Sequence, residues 1–148
     1  MSAGGSTLVA IGRPPDRDSW RIAIKNPLDS EHPYAIVRLK NASLSTSGVS
    51  EKSVQVGSRR YSHIFDARTG EPVEGVCQAS VVAATATESD ALTKAAFILP
   101  QDVVSRLFKK RKATHALKVE GGCEAASSLW ITPWSAKVFV LGDSARDQ

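Results

Sequence analysis

Helical periodicity is confined to residues 89–110 of this chain, and segments that read as β-strands lie on both sides of it. In SDALTKAAFIL (89–99), Leu92, Ala95, Ala96 and Leu99 fall on one helical face, and Thr87 or Ser89 can cap the start. Pro100 ends this helix, because its ring and missing N–H cannot continue the hydrogen-bond ladder. DVVSRLFKK (102–110) supplies a second helix with Val103, Val104, Leu107 and Phe108 turned inward. Strands, then a helix pair, then strands predict an α+β domain in which the helix pair covers one face of a mainly antiparallel sheet.

The strand-like segments are short. LVAI (8–11) is apolar and closed by the turn-rich GRPPDRD (12–18). In WRIAI (20–24), Trp20, Ile22 and Ile24 alternate with Arg21 and Ala23, the period of a half-buried strand. YAIVRLK (34–40) follows a proline-flanked loop, and Asn41 turns the chain into ASLST (42–46) and TSG (46–48). Residues 50–60 are polar with weak pattern. YSHIF (61–65) reads as a strand with His63 mid-strand beside Tyr61 and Phe65, entering the turn DARTG. QASVVAA (78–84) has the small and β-branched residues of a buried strand. ATHALKVE (113–120) alternates His115, Leu117 and Val119 against Thr114, Lys118 and Glu120, and LWIT (129–132) and KVFVL (137–141) follow as strands. At 148 residues without internal repeats, one domain over 1–148 is expected, with a frayed tail at 143–148.

An apolar fraction of 42% and a charged fraction of 23% argue against disorder for the body of the chain. The net charge of +4 suits an anionic ligand without selecting one. The basic run KKRK (109–112) falls at a helix C-terminus, where cations complement exposed carbonyls, and no aromatics interleave with it. It reads as a solvated helix end, so no nucleic-acid partner is expected. No apolar run approaches membrane-spanning length, and MSAGGSTLVAIGRPP lacks a secretory pattern. The expectation is a cytoplasmic protein without a membrane partner, with Cys77 and Cys123 as reduced, packed thiols.

Candidate chemistry concentrates in YSHIFDARTGEPVEG (61–75). His63 reads either as a histidine satisfied by the backbone or as a general base. Asp66 and Thr69-Gly70 suit an ordinary Asx-type turn, and Arg68 suits either a phosphate or solvent. Asp90 fits the favourable field at a helix start, or one ligand of a hard cation that needs further oxygens.

The order of the motifs says more than any single one. GGSTLVAIG, W-x-I-x-I-x-x-P, TSG, H-I-x-D-x-x-T-G, SVVA and SDAL before an apolar helix follow one another along residues 4–120. That order resembles the C-terminal half of the ApbE family, the FAD:protein FMN transferases formerly described as thiamine biosynthesis lipoproteins. The resemblance implies a T-fold-like α+β domain that binds FAD, uses magnesium to split its pyrophosphate and transfers FMN to a threonine of an acceptor protein. His63 matches the residue that activates the threonine hydroxyl. Thr46, Ser47 and Gly48, together with Asp66, Thr69 and Gly70, match the flavin site, and Asp90 matches the metal ligand.

Three departures accompany the resemblance. Ala67 stands where the family commonly has proline after the aspartate. Lys94 stands four residues after Asp90, where the family commonly has a hydroxyl, with Thr93 at the third position. This spacing predicts an Asp90–Lys94 ion pair and weaker magnesium binding. Family enzymes are also considerably longer, so a homodimer or a separately encoded N-terminal half is expected to complete the site. The alternatives are a module that binds a flavin or another nucleotide without transfer, or a non-catalytic member of the family.

Overall fold

The computed structural model describes residues 1–3, 5–26, 29, 31–49, 53–56, 59–111, 113–121 and 128–141. In chain order the strands are β1 (Ser2–Ala3), β2 (Thr7–Ala10), β3 (Trp20–Ile24), β4 (Ala35–Leu39), β5 (Ala42–Gly48), β6 (Ser53–Val56), β7 (Arg59–Ser62), β8 (Phe65–Asp66), β9 (Glu71–Pro72), β10 (Val76–Ala83), β11 (His115–Glu120), β12 (Ser128–Ile131) and β13 (Phe139–Leu141). Two helices, α1 (Ala86–Ile98) and α2 (Gln101–Lys109), separate β10 from β11. A six-stranded antiparallel sheet runs β1-β2-β5-β10-β11-β12, and β13-β4-β3 forms a second antiparallel sheet. The hairpins β6-β7 and β8-β9 occupy the long connection from β5 to β10.

Alternation along β10 sets the two faces of the larger sheet. Ala79 and Val81 turn toward the helices and join Leu92, Ala96 and Phe97 of α1 and Val104 and Phe108 of α2. Val82, in register with Leu44 of β5, turns the other way and meets Val37, Leu39 and Phe139 of the smaller sheet. The α+β expectation therefore holds, with the helix pair on one face. The smaller sheet on the opposite face is an addition that strand periodicity alone does not supply. Burial of Phe97 and Phe108 contributes about 1.5–3 kcal/mol each to fixing the helices.

Local details differ from the sequence expectations. The N-cap of α1 is Thr85, whose side chain accepts from Glu88 N, so the helix starts before both expected caps. Ser89 lies inside the helix and faces the sheet, buried. In α2 only Val104 and Phe108 are buried, and Leu107 stays 36% exposed, because nine residues present a narrow stripe. Residues 53–56 and 59–60 lie in paired strands, β6 and β7, although the segment 50–60 has weak pattern. The segment 61–65 is not one strand, since β7 ends at Ser62 and β8 begins at Phe65.

Two further differences concern charge and sulfur. Lys118 belongs to the polar side of the β11 alternation, but that side lies under the helices and Lys118 is 3% exposed. Its Nζ donates to Leu99 O at 3.0 Å and pairs with Glu120 Oε1 at 2.9 Å, so a cation complements the C-terminal end of α1. Cys77 is disulfide-bonded, which corrects the expectation of a reduced thiol. That expectation rested on compartment and not on geometry; Cys123 and the tail 143–148 lie outside the described residues. Among the described residues no helix is long and apolar enough to cross a membrane.

Candidate functional site

Serine recurs at every second position of β5, and Ser43, Ser45 and Ser47 all reach hydroxyl partners on α1. Ser89 and Thr93 stand one helical turn apart and provide those partners. Ser89 Oγ lies 2.7 Å from Ser45 Oγ and donates to Ser43 Oγ at 3.0 Å. Thr7 Oγ1 extends the row at 3.0 Å from Ser45 Oγ. Nearer the end of β5, Ser47 Oγ donates to Thr93 Oγ1 at 2.9 Å, and Thr93 Oγ1 donates to Asp90 O at 2.7 Å. The three β5 serines, Ser89 and Thr93 are buried, so each hydroxyl needs its partner.

The row ends in a charged pair. Lys94 Nζ donates to Asp90 Oδ1 at 2.9 Å and to Thr93 Oγ1 at 3.4 Å. Both side chains are half exposed. The ion pair expected from the four-residue spacing is present. Ser47, Thr93, Asp90 and Lys94 form one polar corner where β5 ends.

The loop after β7 is held differently. Ile64 N donates to Ser62 Oγ at 3.0 Å, a local bond that competes with strand pairing and leaves His63 exposed at a bend. This corrects the mid-strand placement of His63. Ile64 is buried in the same cluster as Leu92, which anchors the loop to the helix that carries Asp90. Beyond it, Thr69 N and Gly70 N both donate to Asp66 O, and Gly70 takes φ +75°, which a side chain would disfavour. The Asp66 carboxylate accepts from Arg68 N, Nε and Nη2 at 3.0, 2.9 and 2.5 Å. The Arg68 guanidinium thereby lowers the Asp66 pKa to about 2. Thr69 Oγ1 accepts from Glu71 N at 3.2 Å. Asp66 and Thr69 thus spend these contacts on shaping their own turn.

Thr46 points away from its neighbours Ser45 and Ser47. Its Oγ1 lies 2.8 Å from Ser80 Oγ, and it lines a cavity of about 820 Å³. Leu8, Leu44, Ile22 and Ile24 supply apolar wall from both sheets, and Gln78 supplies a buried amide. Gln78 is 7% exposed, and its Nε2 has no hydrogen-bond partner among the described residues. Its register partner on β5 is Gly48, which has no side chain to cover the amide. The TSG segment is therefore split, with Ser47 on the helix side and Thr46 on the cavity side.

The ApbE family pattern matches residues 1–118. The chain belongs to the ApbE family. The FAD:protein FMN transferase of Salmonella typhimurium is 31% identical over 149 residues, covering 97% of this chain and 40% of that protein. The FAD:protein FMN transferase of Klebsiella pneumoniae is 28% identical over 145 residues with the same shares. Among solved structures, the ApbE protein of Thermotoga maritima superposes with a TM-score of 0.70 at 31% identity, covering 80% of this chain and 39% of that one. The apo Pseudomonas stutzeri flavinyl transferase ApbE gives 0.67 at 28% identity, covering 90% and 41%. The chain spans about 40% of the length of these relatives.

The magnesium that the ApbE resemblance implies at Asp90 does not fit these residues as they stand. Magnesium demands oxygen ligands at about 2.0–2.1 Å in near-octahedral array. Here an ammonium sits on Asp90 Oδ1, and the Thr93 hydroxyl is held by Ser47 and Asp90 O. Among the described residues no group of three or more His, Cys, Asp or Glu side chains comes together. Sequence reading missed Ser43, Ser45, Ser89 and Gln78. The S-x-S-x-S run of β5 against Ser89 and Thr93 at four-residue spacing was the available signal for the first three. Gln78 carried none.

Proposed function

We propose that this chain is a flavin transferase domain in which Lys94 supplies positive charge at the phosphate corner. The supporting observation is the chain of contacts from Ser47 through Thr93 and Asp90 to Lys94, which fixes an ammonium beside the TSG strand. Phosphoryl transfer needs positioning and charge neutralisation more than covalent participation by the protein. The relatives named FAD:protein FMN transferase supply the reaction. The acceptor threonine Oγ bonds to the FMN phosphorus while the bond from that phosphorus to the bridging pyrophosphate oxygen breaks. AMP leaves with the electron pair, and His63 takes the threonine proton. Asp66, Thr69 and Gly70 hold the loop that carries His63, and Thr46, Ser47 and Gly48 form the strand between the phosphate corner and the cavity.

Magnesium has no role in this reading, because the Lys94 ammonium occupies Asp90 Oδ1. FAD and an acceptor protein are the partners in this reading. A second copy of the chain, or a polypeptide matching the rest of the relatives' length, contributes the remaining wall. The test incubates the chain with FAD and a threonine-bearing acceptor, then looks for flavin fluorescence on the denatured acceptor. Labelling that disappears in His63→Ala supports transfer. FAD retained with the acceptor unlabelled gives the second reading, a flavin-binding module. No retention of FAD overturns both.

The disulfide at Cys77 favours an oxidising compartment over the cytoplasm. Alkylation of Cys77 in the unfolded, unreduced chain would refute that placement.

A further inference from the structure

We propose that the open edge of β3 binds an extended segment of a partner polypeptide in which a carboxylate residue lies between apolar ones. β3 stands at the end of the order β13-β4-β3, so one side of its backbone has no neighbouring strand. Arg38 N donates to Val138 O at 2.9 Å, which turns the amides of Ile36 and Arg38 toward β13 and leaves those of Val37 and Leu39 for β3. Trp20, Ile22 and Ile24 therefore bond β4, and the N–H and C=O groups of Arg21 and Ala23 point to the open side. Among the described residues no backbone group bonds them there. Unpaired edge groups of this kind are a template for another strand.

The side chains select the kind of strand. Arg21 is the register partner of Arg38, in the non-hydrogen-bonded class of pair, where Cα atoms approach to about 4.5 Å. Like charges directly opposite destabilise a sheet. Among the described residues no carboxylate lies within ion-pair distance of either guanidinium. A charge on an edge strand is a common guard against unwanted pairing, which accounts for Arg21 alone. Arg38 lies on the central strand of its sheet, where there is no edge to guard. Two exposed guanidiniums side by side supply forked donors for a carboxylate set next to Arg21 on an added strand. The residues flanking that carboxylate turn to the opposite face. There Trp20 is 41% exposed and Ile22 half-buried, and Trp20 Nε1 donates at 3.2 Å to the carbonyl of Ile11, an exposed residue. The segment that fits both faces alternates apolar, acidic, apolar. A second copy adding its own β3 is disfavoured, because it gathers two arginine pairs on one sheet face.

The experiment titrates the full chain into a short, capped, fluorescent peptide with one glutamate between valines, read by fluorescence anisotropy. Binding is expected below about 1 mM, and its absence there overturns the proposal. Glutamine in place of the peptide's glutamate should weaken binding about tenfold or more, the range of a charge-assisted hydrogen bond. Arg21→Gln and Arg38→Gln should each weaken the glutamate peptide about tenfold and leave the glutamine peptide within about twofold. Methylating the peptide amides that face β3 should abolish binding; binding that survives methylation reports charge attraction alone and overturns strand addition. The unfolding midpoint of Arg38→Gln without peptide is expected to hold or rise, because a like-charge pair is gone. A lower midpoint with unchanged peptide affinity makes Arg38 structural and overturns the proposal. So does equal affinity for the two peptides. Binding to phosphatidylserine vesicles that both variants lose, with neither peptide bound, assigns the arginines to a membrane surface instead. A dimer in sedimentation that blocks the peptide assigns the edge to a second copy and overturns the proposal as well.

Discussion

Replacing Lys118 by methionine tests how the end of α1 is held. Met keeps the apolar stem of the side chain and removes the ammonium, which now bonds Leu99 O at 3.0 Å and Glu120 Oε1 at 2.9 Å. Removing one partner of a fully buried ion pair destabilises by about 3–5 kcal/mol. Glu120 is 30% exposed and keeps a 2.7 Å bond from Gln101 Nε2, so water and that amide compensate part of its stranded charge. The Leu99 carbonyl loses the ammonium, worth about 1–3 kcal/mol if nothing replaces it. The expected loss is therefore about 2–3 kcal/mol, or about 5–10 °C in melting temperature. Glu120→Gln should be worse, about 3–5 kcal/mol, because the stranded ammonium is almost fully enclosed. The double variant should lose less than the sum of the singles by at least about 1 kcal/mol. Urea unfolding of the four proteins measures each value. A Lys118→Met loss below about 0.5 kcal/mol, or strict additivity, would refute the assignment of Lys118 as the buried tie between β11 and α1.

Asp66, with its carboxyl held at about 2, should titrate well below 3.8 by carboxyl NMR. Because its folded value is depressed, its contribution to stability is present above pH 3.8 and lost as pH falls through about 2; Arg68→Ala should return the midpoint toward 3.8. Burial lowers the His115 pKa, so the neutral ring is the folded form. Its stabilising effect is complete above pH 6.5 and lost as pH falls through the lowered value, and His115→Gln should flatten that part of the stability profile. Lys94→Thr frees Asp90 and adds a hydroxyl, so magnesium affinity should rise about tenfold or more in calorimetric titration. Micromolar magnesium binding in the parent that Lys94→Thr leaves unchanged would refute the role given to Lys94. Ser89→Ala should destabilise by about 1–2 kcal/mol in urea unfolding, since it strands hydroxyls on β5.

Periodicity made the individual elements legible. WRIAI is β3, and Pro100 separates two helices because a proline in a helix interior removes a backbone hydrogen bond and clashes with the preceding turn. Which strands pair was not legible. Alternation in β3, β4 and β13 states that each has two faces, but not that they leave the larger sheet and form another. Lys118 reads as a solvent residue until α1 and α2 are laid over β11. His63 reads as mid-strand because Tyr61 and Phe65 flank it with period two; a single serine hydroxyl at Ser62 is enough to break that strand. At the candidate site, motif order placed Thr46, Ser47 and Asp90 in one neighbourhood. It could not say that adjacent residues of one strand serve opposite faces, since that depends on which layer covers each face.

That division gives the serine row a purpose beyond burial. Valine at positions 43, 45 and 47 would suit β-propensity and fill the space under α1. Apolar contact alone, however, tolerates sliding of a helix along a sheet, and one residue of slip moves a helix by about 1.5 Å. Directional bonds from Ser45 to Ser89 and from Ser47 to Thr93 fix two points one turn apart, and with them the axial position and rotation of α1. Lys94 and Asp90 are thereby held to β5, whose other face carries Thr46 beside the cavity.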